Sequence, residues 1–225
     1  MNLPKPIKFR VERYIGGLSQ FKKIANPIKL SANESALGPS PKAIRAYTND
    51  KDKMFKYPES DSNSFRKVLA KKYKIDPKRI ICGSGSDQIF DLICHLFLKA
   101  GDEVIVTEFG FIMHRIYASL HNAKVVLAKE KNFKASVKEI LKKVTNKTKI
   151  VFIANPNNPT GTYLSKNEML RLRKKLRSNI LLVVDDAYFE FLNFSNFKSG
   201  LDLFRNFNNV LITRTFSKIY GLAGL

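Results

Sequence analysis

The sequence predicts an α/β fold: a mostly parallel central sheet with helices on both faces, preceded by an irregular N-terminal arm. Three observations carry that expectation. From about residue 62 onward, apolar runs of strand length alternate with segments of helical period, the pattern that builds α/β domains. The apolar runs are rich in Val, Ile and Leu and barely alternate in polarity, as strands covered on both faces do. Up to about residue 40 the chain has no period and is punctuated by Pro4, Pro6, Gly16, Gly17, Pro27, Gly38 and Pro39.

Taken in order, the expected strands are 79–82, 103–107, 124–128, 149–154, 180–184 and 209–213. Between them 64–73, 87–98, 136–144 and 166–176 carry apolar residues at helical spacing. Ser165, with Glu168 three residues later, forms a capping box that fixes the start of the last of these. The joining loops are short, so residues 41–225 read as one sheet domain after an arm of residues 1–40. No repeat or low-complexity tract is present. With 225 residues, 44% of them hydrophobic, the chain can bury a sizeable core.

Composition also excludes several classes. The chain has 40 Lys and Arg against 19 Asp and Glu, a formal charge of +21, which raises the question of nucleic acid. The basic residues are spread from Lys5 to Lys218, however, many at helix positions such as Lys71, Lys72, Lys142, Lys143, Lys174 and Lys175, as on solvated faces. No nucleic-acid partner is expected; an anionic small molecule would also be drawn by this field. No stretch approaches the roughly 18 apolar residues of a membrane span, and the first residues lack the apolar core of a secretory signal, so a cytoplasmic protein is expected. Cys82 and Cys94 lie in apolar segments without paired spacing, which suits core residues rather than a disulfide or a metal site.

Ligands of open α/β sheets bind outside the carboxyl ends of the strands, and the residues at those ends are polar and distinctive. Gly83-Ser84-Gly85-Ser86-Asp87 runs into a helix, whose free N–H groups could take a phosphate, although such a turn is often only a turn. Asn155-Pro156-Asn157-Asn158-Pro159-Thr160-Gly161 is a turn of tightly specified backbone. Val184-Asp185-Asp186-Ala187-Tyr188 sets a carboxylate and a phenol at one strand end, and Thr213-Arg214-Thr215-Phe216-Ser217-Lys218 ends on a lysine beside small hydroxyls.

In this order and spacing, the N-P-T-G turn, the D-x-A-Y strand end and the S-K lysine resemble the fold-type I aminotransferases that use pyridoxal 5'-phosphate (PLP). The resemblance implies that Lys218 is the catalytic lysine that bonds the cofactor aldehyde and moves the proton between Cα and C4′. It implies that Asp185 keeps the pyridine nitrogen protonated by a charge-assisted hydrogen bond, and that Tyr188 and Asn158 contact the ring 3-oxygen. Phe109 matches the aromatic stacked on the ring, while Ser86, Asp87, Thr215 and Ser217 match the phosphate holders. Read without the family, these residues would be caps, turn residues, core aromatics and solvated charges.

The stretch from Leu30 to Pro41, L-S-A-N-E-S-A-L-G-P-S-P, and Tyr57-Pro58-Glu59 are similar to segments of the histidinol-phosphate aminotransferases. That resemblance, from about Tyr14 to Leu225, implies a homodimer in which Tyr57 reaches the partner's cofactor phosphate, with Tyr14 and Asn33 near the substrate. It implies transamination between L-histidinol phosphate and 2-oxoglutarate, giving imidazole-acetol phosphate and L-glutamate in histidine biosynthesis, in two half-reactions. The family continues past K-x-x-x-L-A-G-L with a phosphate-binding arginine and a small domain. On that comparison the large domain is incomplete at Leu225, and the chain alone is expected to be a poor transaminase. The rival readings are an aromatic aminotransferase or a threonine-phosphate decarboxylase on the same scaffold, and a non-catalytic basic binding protein derived from one.

Overall fold

The computed structural model of the chain describes Val11, Tyr14, Gly17 and residues 28–225. Most of the expected arm at 1–40 lies outside the described residues. Five strands, β1 (Glu103–Thr107), β2 (Lys124–Ala128), β3 (Thr148–Ala154), β4 (Leu181–Asp185) and β5 (Val210–Thr213), form one sheet in the order β2-β1-β3-β4-β5. Every pairing is parallel. Each strand begins or ends within a residue of its expected apolar run, because a run that pairs on both sides must be apolar on both faces. All five residues of β1 are buried, whereas the edge strand β2 leaves Lys124 and Leu127 exposed.

Seven helices accompany the sheet among the described residues: α1 (Pro41–Asp50), α2 (Asn63–Tyr73), α3 (Gly85–Phe97), α4 (Ile112–Leu120), α5 (Val137–Lys142), α6 (Lys166–Lys175) and α7 (Gly200–Phe204). Strand side chains alternate between faces, and the two sets find different covers. Ile105, Val151, Ile153, Leu182 and Val184 form a buried cluster with Val137 and Ile140 of α5, Met169 and Leu172 of α6, and Phe204 of α7. On the opposite face Phe152 meets Phe90 of α3, edge to face at 5.8 Å, and His114 of α4, stacked at 4.8 Å.

The local signals that start these helices are visible. The Ser165 hydroxyl accepts the Glu168 N–H while the Glu168 carboxylate accepts the Ser165 N–H, completing the capping box. Burial works to raise the Glu168 pKa, but the Ser165 N–H and the Lys134 ammonium outweigh it and hold the carboxyl below its usual range. Helices α1, α4 and α7 were not expected from periodicity. For α1 the signal was present in Ser40, which accepts the Ala43 N–H, followed by Pro41 at the first helical position.

One expected strand is not there. Arg79 ends a single 3-10 turn, Pro77–Arg79, capped by the Asp76 carboxylate on the Lys78 N–H, and residues 80–82 follow it. Ile80 is extended, at φ −113° and ψ 131°, but no described strand pairs with it, and Ile81 is 63% exposed. Extended backbone without a ladder partner is not a strand, and apolar composition alone could not supply one.

The chain divides into two compact units. One is built on Phe90–Arg214 and holds the whole sheet; the other contains Gly17–Ile89 together with Thr215–Leu225. No described helix is long and apolar enough to cross a membrane, and the described residues hold no cluster of His, Cys, Asp and Glu suited to a metal ion. Cys94 is a core residue whose thiol is pushed up to about 12 by burial, whereas Cys82 is only half-buried.

Candidate active site

In the sheet unit the candidate residues gather where the strand order reverses. The chain leaves β1 to form β2 on one side, then returns past β1 to form β3 on the other. The carboxyl ends of β1 and β3 therefore flank the crevice where ligands of such sheets bind. Phe109 follows β1, the Asn155–Gly161 turn follows β3, and Asp185 ends the neighbouring β4.

The turn spends two of its three asparagines on itself. Asn155, 2% exposed, imitates a strand partner: its Nδ2 donates to the Leu164 carbonyl at 3.1 Å and its Oδ1 accepts the Leu164 N–H at 2.7 Å. Asn157 Nδ2 donates to Thr160 Oγ1 at 2.8 Å and to the Phe109 carbonyl at 3.1 Å, tying the turn to the segment after β1. The half-buried Asn158 takes part in none of the turn's side-chain hydrogen bonds among the described residues. Gly161, at φ +69°, closes the turn by donating its N–H to the Asn157 carbonyl.

Asp185 and Asp186 are both buried, at 4% and 1% exposed, but they do different work. Asp185 Oδ1 accepts the Thr213 hydroxyl at 3.0 Å and the Ala187 N–H at 3.3 Å. With that oxygen committed, Oδ2 faces only His114 Nε2, 3.6 Å away. The His114 Nε2 that faces it is itself buried without a hydrogen-bond partner among the described residues. Asp186, the residue immediately after β4, accepts the Gly200 N–H at 2.7 Å at the start of α7. Burial pushes its carboxyl well above the ordinary range, against the lowering effect of that hydrogen bond and of Arg214.

The remaining side chains of this unit frame these groups. Phe109 is 43% exposed, with its ring tilted against Phe133 at 5.3 Å. Tyr188, half-buried, lies 6.1 Å from the Phe191 ring. The Arg214 guanidinium pairs with Glu190 and sits 4.6 Å over the Phe189 ring. Sequence reading missed His114, which is 2% exposed among Phe90, Phe111 and Phe152. A histidine on the apolar side of an unrecognised helix gave no signal. Tyr14 is 54% exposed.

The second unit carries the lysine and the small hydroxyl residues. Thr215 Oγ1 accepts the Ser217 N–H at 3.1 Å and donates to Ser217 Oγ at 2.9 Å, a compact hydroxyl pair. Lys218 Nζ donates to the Ala32 carbonyl at 3.0 Å. The Gly83-Ser84-Gly85 turn enters the first turn of α3, where Ser86 and Asp87 lie; the Gln88 side chain accepts the Ser84 N–H. Gly85, at φ +71°, has open space where a side chain would stand. Gly221 has a packing reason as well: a Cβ there would come within 2.4 Å of the Gly38 backbone. Asn33 adopts φ +52°, and Tyr57 is fully exposed.

The sheet unit holds a buried carboxylate, an amide, a phenol and an aromatic ring, and the second unit holds the lysine, the hydroxyl pair and the first-turn N–H groups of α3. Residues 25–225 match the family model for aminotransferase class I and II. The histidinol-phosphate aminotransferase of Pelagibacter ubique is 59% identical over all 225 residues, and histidinol-phosphate aminotransferase 1 of Caulobacter vibrioides is 44% identical over 99% of the chain. The chain spans 62% of the length of each of these relatives. Among solved structures, histidinol-phosphate aminotransferase from Sinorhizobium meliloti in complex with pyridoxal-5'-phosphate superposes with a TM-score of 0.81 at 28% identity, over 86% of this chain and 52% of that one.

Proposed function

The chain belongs to the class I and II aminotransferases, and from that membership we propose that it performs PLP-dependent transamination between L-histidinol phosphate and 2-oxoglutarate in histidine biosynthesis, in the cytoplasm. The substrate follows from what the relatives at 59% and 44% identity are named for. The single observation that carries the cofactor is the buried Asp185 at the end of β4, one oxygen committed to Thr213 and Ala187 and the other left for a cationic partner.

When bound, PLP supplies an electron sink that makes the substrate Cα–H acidic. The work of the chain is to set up that chemistry. Asp185 holds a proton at the pyridine nitrogen, because its negative charge in a buried setting favours the protonated ring. Asn158 and Tyr188 hydrogen bond the ring 3-oxygen, and Phe109 offers its exposed ring as a stacking face. Ser86, Asp87, Thr215 and Ser217 take the phosphate through first-turn N–H groups and hydroxyls. Lys218 would hold the cofactor at its aldehyde carbon through Nζ, and its amine would serve as the base that moves the substrate proton. Tyr14 and Asn33 lie toward the substrate. A homodimer in which the fully exposed Tyr57 reaches the partner's cofactor phosphate completes the reading, with residues 41–225 as the large domain after an arm of residues 1–40.

The test is turnover, with PLP and glutamate, of a protein that carries this chain on to the full length of its relatives, of which the chain spans 62%. Imidazole-acetol phosphate should exceed oxaloacetate and phenylpyruvate in kcat/KM by about tenfold or more, since recognition of a phosphate and a ring is worth at least that. A preference for either other acceptor would overturn the substrate assignment, and an absence of amino transfer to all three would overturn the reading.

A further inference from the structure

Phe109 is gripped from several sides by groups that no role above uses. Its N–H donates to Glu130 Oε1 at 3.2 Å, 21 residues away in sequence, and its carbonyl accepts Asn157 Nδ2 at 3.1 Å. Glu130 is held in turn, because its own N–H donates to Glu108 Oε2 at 3.2 Å. Two carboxylate-to-amide bonds thus run in opposite directions between the segments after β1 and β2. The second Glu130 oxygen is buried without a hydrogen-bond partner among the described residues, an arrangement with a cost that simple loop closure would not require.

The same loop supplies Phe133, whose ring lies against Phe109. The loop is pinched by reciprocal backbone bonds between Lys131 and Lys134, each at 3.0 Å. The Phe133 carbonyl accepts the Thr162 hydroxyl at 2.7 Å, Thr162 Oγ1 lies 2.9 Å from Thr160 Oγ1, and Thr160 accepts Asn157 Nδ2. The network closes on itself through Glu130, Phe109, Asn157, Thr160, Thr162 and Phe133, joining the segments that follow β1, β2 and β3.

We propose that Glu130 is a positioning residue, whose carboxylate fixes the Phe109 backbone so that its ring stands at the angle required to stack on the cofactor. This rests on the PLP reading above. Charge-assisted bonds to a backbone N–H are stronger than neutral ones; a backbone held at both its N–H and its carbonyl fixes the point from which the ring projects, and Phe133 packs against the ring itself.

The experiment compares Glu130→Ala and Glu130→Gln with the wild-type chain in three measurements: hydrogen exchange of the Phe109 amide without PLP, PLP affinity, and the visible circular dichroism of bound PLP. Glu130→Ala should speed Phe109 exchange by about tenfold or more as its hydrogen bond is lost, weaken PLP binding about 3- to 10-fold as stacking degrades, and reduce the dichroic band. Glu130→Gln, which keeps the acceptor, should restore all three. Unchanged exchange or an unchanged band in Glu130→Ala would overturn the proposal, as would a Gln variant as impaired as the Ala variant. If Glu130→Ala does not fold, Phe133→Leu carries the dichroism comparison with Glu130 in place. A wild-type chain that takes up no PLP would count against the functional reading, while Phe109 exchange would still decide whether the clamp exists.

Discussion

Replacing Asp185 and Asp186 separately by asparagine tests whether adjacent buried carboxylates have the different roles their hydrogen bonds indicate. In Asp185→Asn the amide oxygen can keep both donors, the Thr213 hydroxyl and the Ala187 N–H. The NH2 group then occupies the place of Oδ2 and presents a donor to a ring nitrogen that must itself donate. Folding stability should change by less than about 1 kcal/mol, because the hydrogen bonds survive. Transition-state stabilisation should fall by about 3–4 kcal/mol, on the scale of removing one preorganised electrostatic partner, which is roughly a 100- to 1000-fold loss in kcat. In Asp186→Asn the amide oxygen keeps the Gly200 N–H and a buried acid is removed, so kcat should stay within about threefold of wild type. Burial raises the Asp186 value in the folded state, so wild-type stability should fall as pH rises above 3.8 through that raised value. The Asn variant should lack that component. Thermal melts from pH 4 to 8 and single-turnover kinetics with PLP measure both effects. A variant at Asp186 that loses turnover while Asp185→Asn retains it would refute the assignment.

Three further outcomes follow from the same geometry. Asn155→Ala removes a buried pair of hydrogen bonds to the Leu164 backbone and should cost about 2–4 kcal/mol, read as a lower urea midpoint. Arg173, 4% exposed, donates to the carbonyls of Ile180, Leu176 and Arg177; Arg173→Met should cost about 3–5 kcal/mol by leaving these acceptors unpaired, and Lys should not rescue it. The Thr145 hydroxyl and the Lys124 ammonium hold the Glu103 carboxyl below its usual 4.5. Its contribution is therefore present above pH 4.5 and lost as pH falls through the lowered value. Glu103→Gln should be less stable than wild type at pH 7, and the gap should close in acid.

The sheet was legible because parallel strands buried on both faces must be continuously apolar; the expected runs at 103–107 and 124–128 match β1 and β2 residue for residue. The run at 79–82 has the same composition and failed, since pairing depends on a partner that composition does not reveal. Likewise, Asn-Pro-Asn-Asn-Pro-Thr-Gly announced a rigid turn, but not that Asn155 and Asn157 would be used up within it. The choice between Asp185 and Asp186 rests on family resemblance; the structure adds that the two have different hydrogen-bond partners, Thr213 and Ala187 for one and Gly200 for the other. His114 and Glu130 were silent. Each matters through a meeting of distant segments, His114 with Asp185 and Glu130 with Phe109, and no local pattern encodes such a meeting.

The central claim is that this chain carries PLP on Lys218. Incubation with PLP, reduction with borohydride and peptide mapping by mass spectrometry test it directly among the many lysines of this basic chain. The expected result is a single dominant label on the peptide containing Ser217 and Lys218, abolished in Lys218→Ala. Label spread over surface lysines, or concentrated on any other one, would contradict it.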